Sequence, residues 1–247
     1  MFNQDSCYDI MEKIDNKWGG RRLKTELLVL LLQDDFDQAM ETIGSLPGRR
    51  VINPLFSFLC STDPQVKWRA VKAIGQVVKS IAEEDMESAR VIMRRMIWNL
   101  NDESGGIGWG QPEAMGEVMA QHQGLACEYA MILECYIRED GSFLEHQPLQ
   151  RGVLWGLGRL AQERPELLKN ATLHLRPFLS SADAVLRGLA AWTMGLLGGS
   201  QGDPALAALE GDETEVTLYL NGTERSYRIS ELASRIRRDE NEIERIF

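Results

Sequence analysis

The stretch DPQVKWRAVKAIG, from Asp63 to Gly75, decides the fold because its thirteen-residue frame recurs along the chain. Aligned on the closing glycine, the frame returns as SGGIGWGQPEAMG at Gly116, HQPLQRGVLWGLG at Gly158 and DAVLRGLAAWTMG at Gly195. The closing glycines are 41, 42 and 37 residues apart. Repetition at such periods is typical of stacked helical units.

Apolar residues recur at two fixed positions of the frame, as expected for helices that face their neighbours. These residues are Val66, Ile107, Leu149 and Leu186 at one position, and Ile74, Met115, Leu157 and Met194 at the other. The small residue that closes each frame permits close contact between helices. Each frame is followed by another apolar helical stretch, such as MESARVIMRRMIWNL at 86–100. The repeating unit is therefore a helical hairpin, and such hairpins stack into a solenoid with one continuous core.

The frames DPQVKWRAVKAIG and LRGLAAWTMG resemble the HEAT repeat, particularly the short variant of phycobilin lyases and many bacterial scaffold proteins. The resemblance covers about residues 34–200. It implies an all-α fold, a right-handed alpha-alpha superhelix of the HEAT or armadillo type. WNLNDESGGIGWGQPEAMGE, GVLWGLGRLA and RGLAAWTMG are also similar to segments of an uncharacterised bacterial family of HEAT-repeat proteins. That second resemblance implies no activity.

The C-terminal part of the chain departs from the repeat. VTLYLNGTERSYRI alternates with period two around Asn221-Gly222, which predicts a β-hairpin with a two-residue turn. This turn places Leu218 opposite Arg225 and Val216 opposite Tyr227. We expect the apolar side of the hairpin to cap the last repeat, although a partner-binding module is an alternative, and a helix to follow from Ser230 to about Arg245. The apolar side consists of Val216, Leu218, Leu220, Tyr227 and Ile229.

Three segments follow from these patterns. Residues 1–22 form an N-terminal segment, residues 23–212 the HEAT-like repeat solenoid, and residues 213–247 the β-hairpin and helix cap. No apolar run reaches the roughly 18 residues that span a bilayer, and MFNQDSCYDIMEK lacks the regions of a signal peptide. A cytoplasmic protein is therefore predicted. The cysteines have neither zinc-site nor disulfide spacing, which predicts buried reduced thiols at Cys7, Cys60, Cys127 and Cys135.

The net charge of −10 is concentrated in the middle of the chain. Residues 1–101 hold 14 basic and 14 acidic side chains, residues 102–145 hold 1 and 9, and residues 146–247 hold 12 and 14. A central segment of net charge −8 repels phosphate backbones and attracts basic surfaces. Charge therefore argues against a nucleic-acid ligand.

That acidic segment begins with the most unusual stretch of the chain, NLNDESGGIGWGQPEAMGE at 99–117. The four glycines at 105–110 predict a loop that shortens the first helix of the second frame, and Pro112 suits the first turn of that helix. Aromatic side chains would supply contact area and carboxylates would orient a ligand. The candidate binding residues are Trp98, Asp102, Glu103, Gly106, Trp109, Glu113 and Glu117, with Glu128 and Glu134 from the following helix.

Two other functions remain open. Glu113, Glu117 and Gln121 form one helical stripe next to His122, so a carboxylate metal site can be drawn. However, the His-Glu pairs of the HEAT-like deoxyhypusine hydroxylases are absent. WNLND is similar to the Trp-x3-Asp element of HEAT-like DNA alkylpurine glycosylases, which implies roles for Trp98 and Asp102, but the negative charge disfavours a duplex ligand. The side chains that could assist such an enzyme are Trp109, Arg151, Trp155 and Trp192.

The sequence favours a non-enzymatic scaffold or adaptor protein. Its concave face and acidic, aromatic loop would bind a protein or a basic peptide. No nucleophile elbow, phosphate-binding loop or dinucleotide motif is present, so no catalytic residue, cofactor or metal is predicted.

Overall fold

The structure, a computed structural model, describes residues 19–102, 108–198, 203–220 and 222–234. Contacts within the chain divide it into two compact units, Met1–His122 and Gln123–Phe247. The described residues are mostly helical, with one two-stranded antiparallel sheet near the C-terminus. Among them, no helix combines the length and the apolar character that crossing a bilayer requires.

The described part of the first unit contains six helices, which follow one another with short connections. They are α1 (Gly20–Leu32), α2 (Phe36–Ser45), α3 (Gly48–Phe56), α4 (Pro64–Glu84), α5 (Met86–Leu100) and α6 (Gln111–Gln121).

Helix α4 lies at the centre of the first unit, since it packs against each of the other five described helices. The Asp-Pro pair of the frame starts this helix. The Asp63 carboxylate accepts hydrogen bonds from the backbone N–H of Gln65 at 2.9 Å and of Val66 at 3.4 Å. Pro64 lies in the first turn, where its missing N–H is no loss.

The described part of the second unit contains six α-helices and three short 3₁₀ helices. The α-helices are α7 (Gln123–Cys135), α8 (Gln147–Glu163), α9 (Ala171–Leu175), α10 (Ala184–Leu196), α11 (Pro204–Ala207) and α12 (Ile229–Ser234), and the 3₁₀ helices are Pro165–Leu168, Arg176–Ser180 and Ala208–Gly211. Helix α10 is central, because it packs against α8, α9, α12 and the hairpin.

The four sequence frames end in α4, α6, α8 and α10, as the repeat predicts. The second fixed apolar position of the frame lies in the hydrophobic core in all four copies. Its residues are each at most 2% exposed: Ile74, Met115, Leu157 and Met194. At the first position Val66 and Leu186 are buried and Leu149 is half-buried, whereas Ile107 lies outside the described residues.

The closing glycines of the frame allow close approach, as the sequence predicts. A Cβ atom added to Gly75 would lie 2.6 Å from Cγ of Glu117, on the first helix of the next frame. A Cβ atom added to Gly158 would lie 2.0 Å from Cζ3 of Trp192, on α10. Both distances are far below van der Waals contact, so α4 and α8 each press directly on their neighbour.

The C-terminal hairpin has the predicted register. Strands β1 (Glu215–Leu220) and β2 (Thr223–Arg228) pair with Leu218 opposite Arg225 and Val216 opposite Tyr227. The Trp155 indole N–H of α8 donates a 2.6 Å hydrogen bond to the carbonyl oxygen of Tyr219 in β1. The predicted apolar side is buried at all five positions: Val216, Leu218, Leu220, Tyr227 and Ile229.

This buried side lies on α10, where a Cβ atom added to Gly188 would be 3.1 Å from Cγ2 of Val216. The hairpin therefore covers the last helix of the repeat array. Helix α12 begins at Ile229, next to the predicted start at Ser230. Its predicted extension to Arg245 lies outside the described residues, as do Asn221 and most of the N-terminal segment.

The predicted burial of the cysteines is wrong for two of them. The side chains of Cys60 and Cys127 are exposed, and that of Cys135 is half-buried. The prediction used the average preference of cysteine, whereas Cys60 follows the end of α3 and Cys127 lies on the exposed side of α7. Cys7 lies outside the described residues.

The close approach at Gly158 gives the first testable prediction. Gly158→Ala forces the Trp192 ring to move, so we expect the free energy of unfolding to fall by about 1–3 kcal/mol in urea denaturation. Gly211→Ala is the matched control, because nothing lies within 4 Å of a Cβ atom at that position. Equal stability of the two variants would contradict the tight packing of α8 on α10.

Candidate functional site

The candidate site begins at the C-terminal end of α5. Trp98 is 73% exposed, more than any other large apolar side chain among the described residues. Trp109, which precedes α6, is 48% exposed, and Asp102 is half-exposed. The predicted site residues Glu103 and Gly106 lie outside the described residues. Two tryptophans on the surface of one unit are an unusual exposure of aromatic area.

The turn that starts α6 explains one glycine of the unusual stretch. Gly110 has a φ of 73°, in the left-handed region that other residues rarely adopt. A Cβ atom there would lie 2.9 Å from the carbonyl oxygen of Leu59. Pro112 follows in the first turn, and α6 has only 11 residues against 21 in α4. The predicted shortening of this helix is confirmed.

Helix α6 has no exposed face, since every residue from Gln111 to Ala120 is buried. Glu113 is 4% exposed and Glu117 is 0% exposed. The Lys67 ammonium on α4 donates to Glu113 Oε1 at 2.7 Å, and the Lys72 ammonium donates to Glu117 Oε1 at 3.1 Å. Two buried ion pairs therefore join the central helix of the first unit to α6.

Each of these pairs has further support. The Gln121 side-chain amide donates to Glu117 Oε1 at 2.8 Å, so this carboxylate has two donors. The Lys67 ammonium also lies 4.8 Å from the centre of the Trp68 ring, a cation–π distance. The free-energy cost of removing a charge from water is offset when the charge is paired and hydrogen-bonded, as both carboxylates are here.

The exposure predicted for Glu113 and Glu117 is therefore wrong. Helical spacing correctly places the two carboxylates on one stripe, but it cannot show that a neighbouring helix covers that stripe. Each of the two carboxylates is paired with its own lysine ammonium group, which disfavours the carboxylate metal site drawn from the sequence. Among the described residues, no group of three or more His, Cys, Asp or Glu side chains is arranged to hold a metal.

The two glutamates predicted from the following helix, α7, lie in the second unit and differ from each other. Glu128 is exposed, whereas Glu134 is 7% exposed. The pKa of the Glu134 carboxyl is raised by burial, against the opposing effect of His174 and Arg138. His174 Nε2 lies 3.7 Å from Glu134 Oε1. These two carboxylates therefore do not form one exposed wall.

Sequence reasoning missed a group of arginines on helices α3 and α5. Helices α3 and α5 contain five arginines and no lysine, and Glu87 is their only acidic residue. Residues 1–101 as a whole hold equal numbers of basic and acidic side chains, because acidic residues in the connections offset the arginines of these two helices. A count along each helix would have found the group, whose members are Arg49, Arg50, Arg90, Arg94 and Arg95.

Three of the four side chains that could assist a glycosylase, all except Trp109, lie in the second unit and have structural partners there. Trp155 is 4% exposed and bonded to Tyr219, and Trp192 is 8% exposed against Gly158. The Arg151 guanidinium donates to Asp183 at 2.6 Å, at the start of α10. These three contacts give Trp155, Trp192 and Arg151 a structural role within the second unit.

Comparison with known proteins agrees with a helical-repeat fold. The sequence profile of the HEAT-like repeat matches residues 147–197. A protein of Archaeoglobus fulgidus, described only as uncharacterized, is 25% identical over 175 residues, which are 69% of this chain and 86% of that protein.

Two crystal structures resemble most of the chain at low sequence identity. An engineered protein has a TM-score of 0.51 and 16% identity, over 87% of this chain and 94% of its own. A Kap121p mutant has a TM-score of 0.50 and 15% identity, over 77% of this chain and 23% of its own. Likeness at this level shows the fold alone. The predicted all-α fold of the HEAT or armadillo type, with a small C-terminal hairpin, is confirmed.

The buried ion pairs give the second prediction. Lys72→Met leaves the Glu117 carboxylate buried without its cation, so the free energy of unfolding should fall by about 3 kcal/mol in urea denaturation. Replacing both Lys72 and Glu117 by methionine should recover much of the loss, because the double variant no longer holds the Glu117 carboxylate without its lysine.

Lys79→Met is the matched control on the same helix. It removes an exposed pair with Glu83, whose partners are 4.0 Å apart with side chains 46% and 59% exposed. Its effect should be at most about 0.5 kcal/mol. If Lys72→Met were as mild as this control, the buried pair would have no structural importance.

The third prediction concerns pH. Because burial raises the pKa of Glu134 in the folded protein, the folded state holds this proton more tightly than the unfolded chain. The free energy of unfolding therefore falls as pH rises from the unfolded pKa through the folded one. Glu134→Gln should be more stable than the wild type at pH 7, and this difference should disappear below about pH 4. Urea denaturation at both pH values measures it.

A Glu134→Gln variant that loses stability at pH 7 would show that the ionised carboxylate stabilises the folded protein, contrary to this prediction.

Proposed function

We propose that this HEAT-repeat protein is a non-enzymatic binding protein that holds a segment of another protein against α5 and the turn before α6. The observation that carries the proposal is the exposure of Trp98. A tryptophan that is 73% exposed leaves a large apolar area in water, which burial by a partner would remove. Tryptophan is also among the residues that contribute most to binding energy at protein interfaces.

A second apolar side chain extends this surface. Val91 is 54% exposed and precedes Trp98 by seven residues, so the two lie on one face of α5. Their separation along the helix axis is about 10 Å at 1.5 Å per residue. Trp109 adds aromatic area in the same unit. The proposed binding surface is defined by Val91, Trp98, Asp102 and Trp109.

The surface is supported by a rigid base. On the opposite side of α5, Met93 and Met96 are 0% exposed and Leu100 is 5% exposed. The helix packs against both α4 and α6. Because the main chain of this helix is already held in place, binding needs no further ordering of the backbone, which favours affinity.

The basic peptide expected from the sequence depended on Glu113 and Glu117 at the surface. Both carboxylates are buried and paired with lysines, so they do not attract an external ligand. Asp102 is the described carboxylate that stays within the proposed surface. The proposal therefore keeps a protein segment as the ligand and does not take its charge from the acidic loop.

An array of random twelve-residue peptides tests this function. We expect the wild type to select a group of peptides and Trp98→Ala to weaken their binding by about 30-fold, as loss of a central interface tryptophan does. Leu173→Ala is the matched control, because it removes an apolar side chain that is 67% exposed on α9. Selection of no peptide, or binding that Trp98→Ala leaves intact, would refute the proposal.

A further inference from the structure

The first described helix, α1, carries apolar residues on every side. Residues 27–32 read LLVLLL, and six consecutive apolar residues cover the whole circumference of a helix. Leu27, Leu30 and Leu31 face the core and are each at most 9% exposed. A helix that is apolar all round is typically buried on all sides, so the side of α1 away from the core needs a covering element.

The described helices leave that side of α1 open. Helices α2, α3 and α4 pack against α1 and bury its core side. On the other side Val29 is 53% exposed and Leu32 is 45% exposed, while Leu28 beside them is half-buried. We call Leu28, Val29 and Leu32 the outer face of α1. This face is separate from the surface around Trp98, so what covers it is a question independent of the proposed function.

The chain directly before α1 has a pattern that fits this face. Within residues 1–18, apolar residues recur at spacings of four, three and four: Cys7, Met11, Ile14 and Trp18. On a helix they form one stripe about 60° wide. Four charged residues lie on the opposite side of that helix: Asp5, Asp9, Glu12 and Lys13. We propose that residues 1–18, which lie outside the described residues, form a helix that packs antiparallel on the outer face of α1.

The length and the attachment of this segment favour it as the occupant. It joins α1 at Gly19, whose backbone is extended with φ −62° and ψ 155°, so no linker separates the two. A helix of 18 residues is about 27 Å long, and α1 with its 13 residues is about 20 Å long. The segment can therefore cover the whole outer face. Antiparallel helices joined by a loop of only a few residues are a common arrangement.

The point of reversal sets which residues meet. If the chain turns at the glycine pair before α1, Met11 lies level with Leu28 and Cys7 lies level with Leu32. Apolar residues then meet at both levels. The spacing is matched as well, because the outward residues of α1 also recur at four, three and four: Arg21, Thr25, Leu28 and Leu32.

The ends of the two helices fit in the same register. Trp18 lies level with Arg21, an exposed cation on the first turn of α1. A guanidinium can stack on an indole ring, so the aromatic end of the stripe also has a partner. The charged side of the segment faces water, which gives the first unit the polar outer surface that a terminal helix of a repeat array needs.

Covalent attachment separates this occupant from a second copy of the chain. A segment linked directly to α1 acts at an effective concentration of about millimolar or more. A second copy at micromolar concentration would have to overcome the loss of translational and rotational freedom for the same apolar contacts. The attached segment therefore covers the outer face first.

Disulfide formation in the full chain tests the packing through the natural Cys7. In Leu32→Cys the two thiols lie at one level, so oxidised glutathione should link them within one chain. Thr25→Cys is the matched control, because this exposed position lies on the same side of α1 but about 10 Å from Leu32 along the axis. A disulfide needs Cα atoms closer than about 7 Å, so we expect linking to be at least about tenfold faster in Leu32→Cys. Proteolysis and mass spectrometry identify the link, since Cys60 and Cys127 are also exposed.

Hydrogen exchange gives a second readout without an added thiol. Met11→Asp places a carboxylate within the apolar stripe, so the segment should leave α1. The backbone amides of residues 24–32 should then exchange at least about threefold faster than in the wild type. Asp9→Asn is the matched control, because it changes a charge on the polar side of the segment and should leave this exchange unchanged.

Three other outcomes would each overturn the inference. Equal linking rates in Leu32→Cys and Thr25→Cys would show that the segment has no fixed register on α1. A link between two chains, seen as a doubled mass, would assign the outer face to a second copy. Exchange of α1 that Met11→Asp leaves unchanged would show that the apolar stripe does not cover this helix. The proposed function around Trp98 would stand in all three cases, because it depends on α5.

Discussion

The ion pairs between α4 and α6 are the constraint on which the first unit depends. Helix α6 is buried along its whole length from Gln111 to Ala120, and yet it carries two glutamates. An unpaired buried carboxylate is strongly destabilising, so the helix can occupy this place only because Lys67 and Lys72 reach it from α4. The same pairing removes two negative charges from the surface of α6.

Much of the fold follows from spacings that the sequence states directly. A frame with a fixed apolar position and a closing glycine predicts where Ile74 and Met194 enter the core. The two-residue turn fixes the hairpin register, because a shift by one residue would turn Val216 and Tyr227 to the opposite side. These features depend on neighbours within a few residues, or on a repeat that supplies several copies of one signal.

The candidate site could be predicted only in part, because its decisive contacts join residues distant in sequence. Trp98 is exposed, as the predicted site requires. Glu113, in contrast, is paired with Lys67, which lies 46 residues away in the sequence. The stripe of Glu113 and Glu117 shows which residues share a face, and not which helix covers it. One signal was available: Ala114, Met115 and Ala120 point to different sides of α6, as in a helix buried on all sides.

The indole hydrogen bond from Trp155 to Tyr219 also affects how the second unit unfolds. In a stack of repeats each unit is stabilised by its neighbours, so the last unit normally frays first. Here the bond joins residues separated by 64 positions, and it ties the terminal hairpin to a helix that precedes α10. Because the hairpin also packs on α10, its release breaks contacts with two helices of the second unit at once, which favours cooperative over gradual unfolding of that unit.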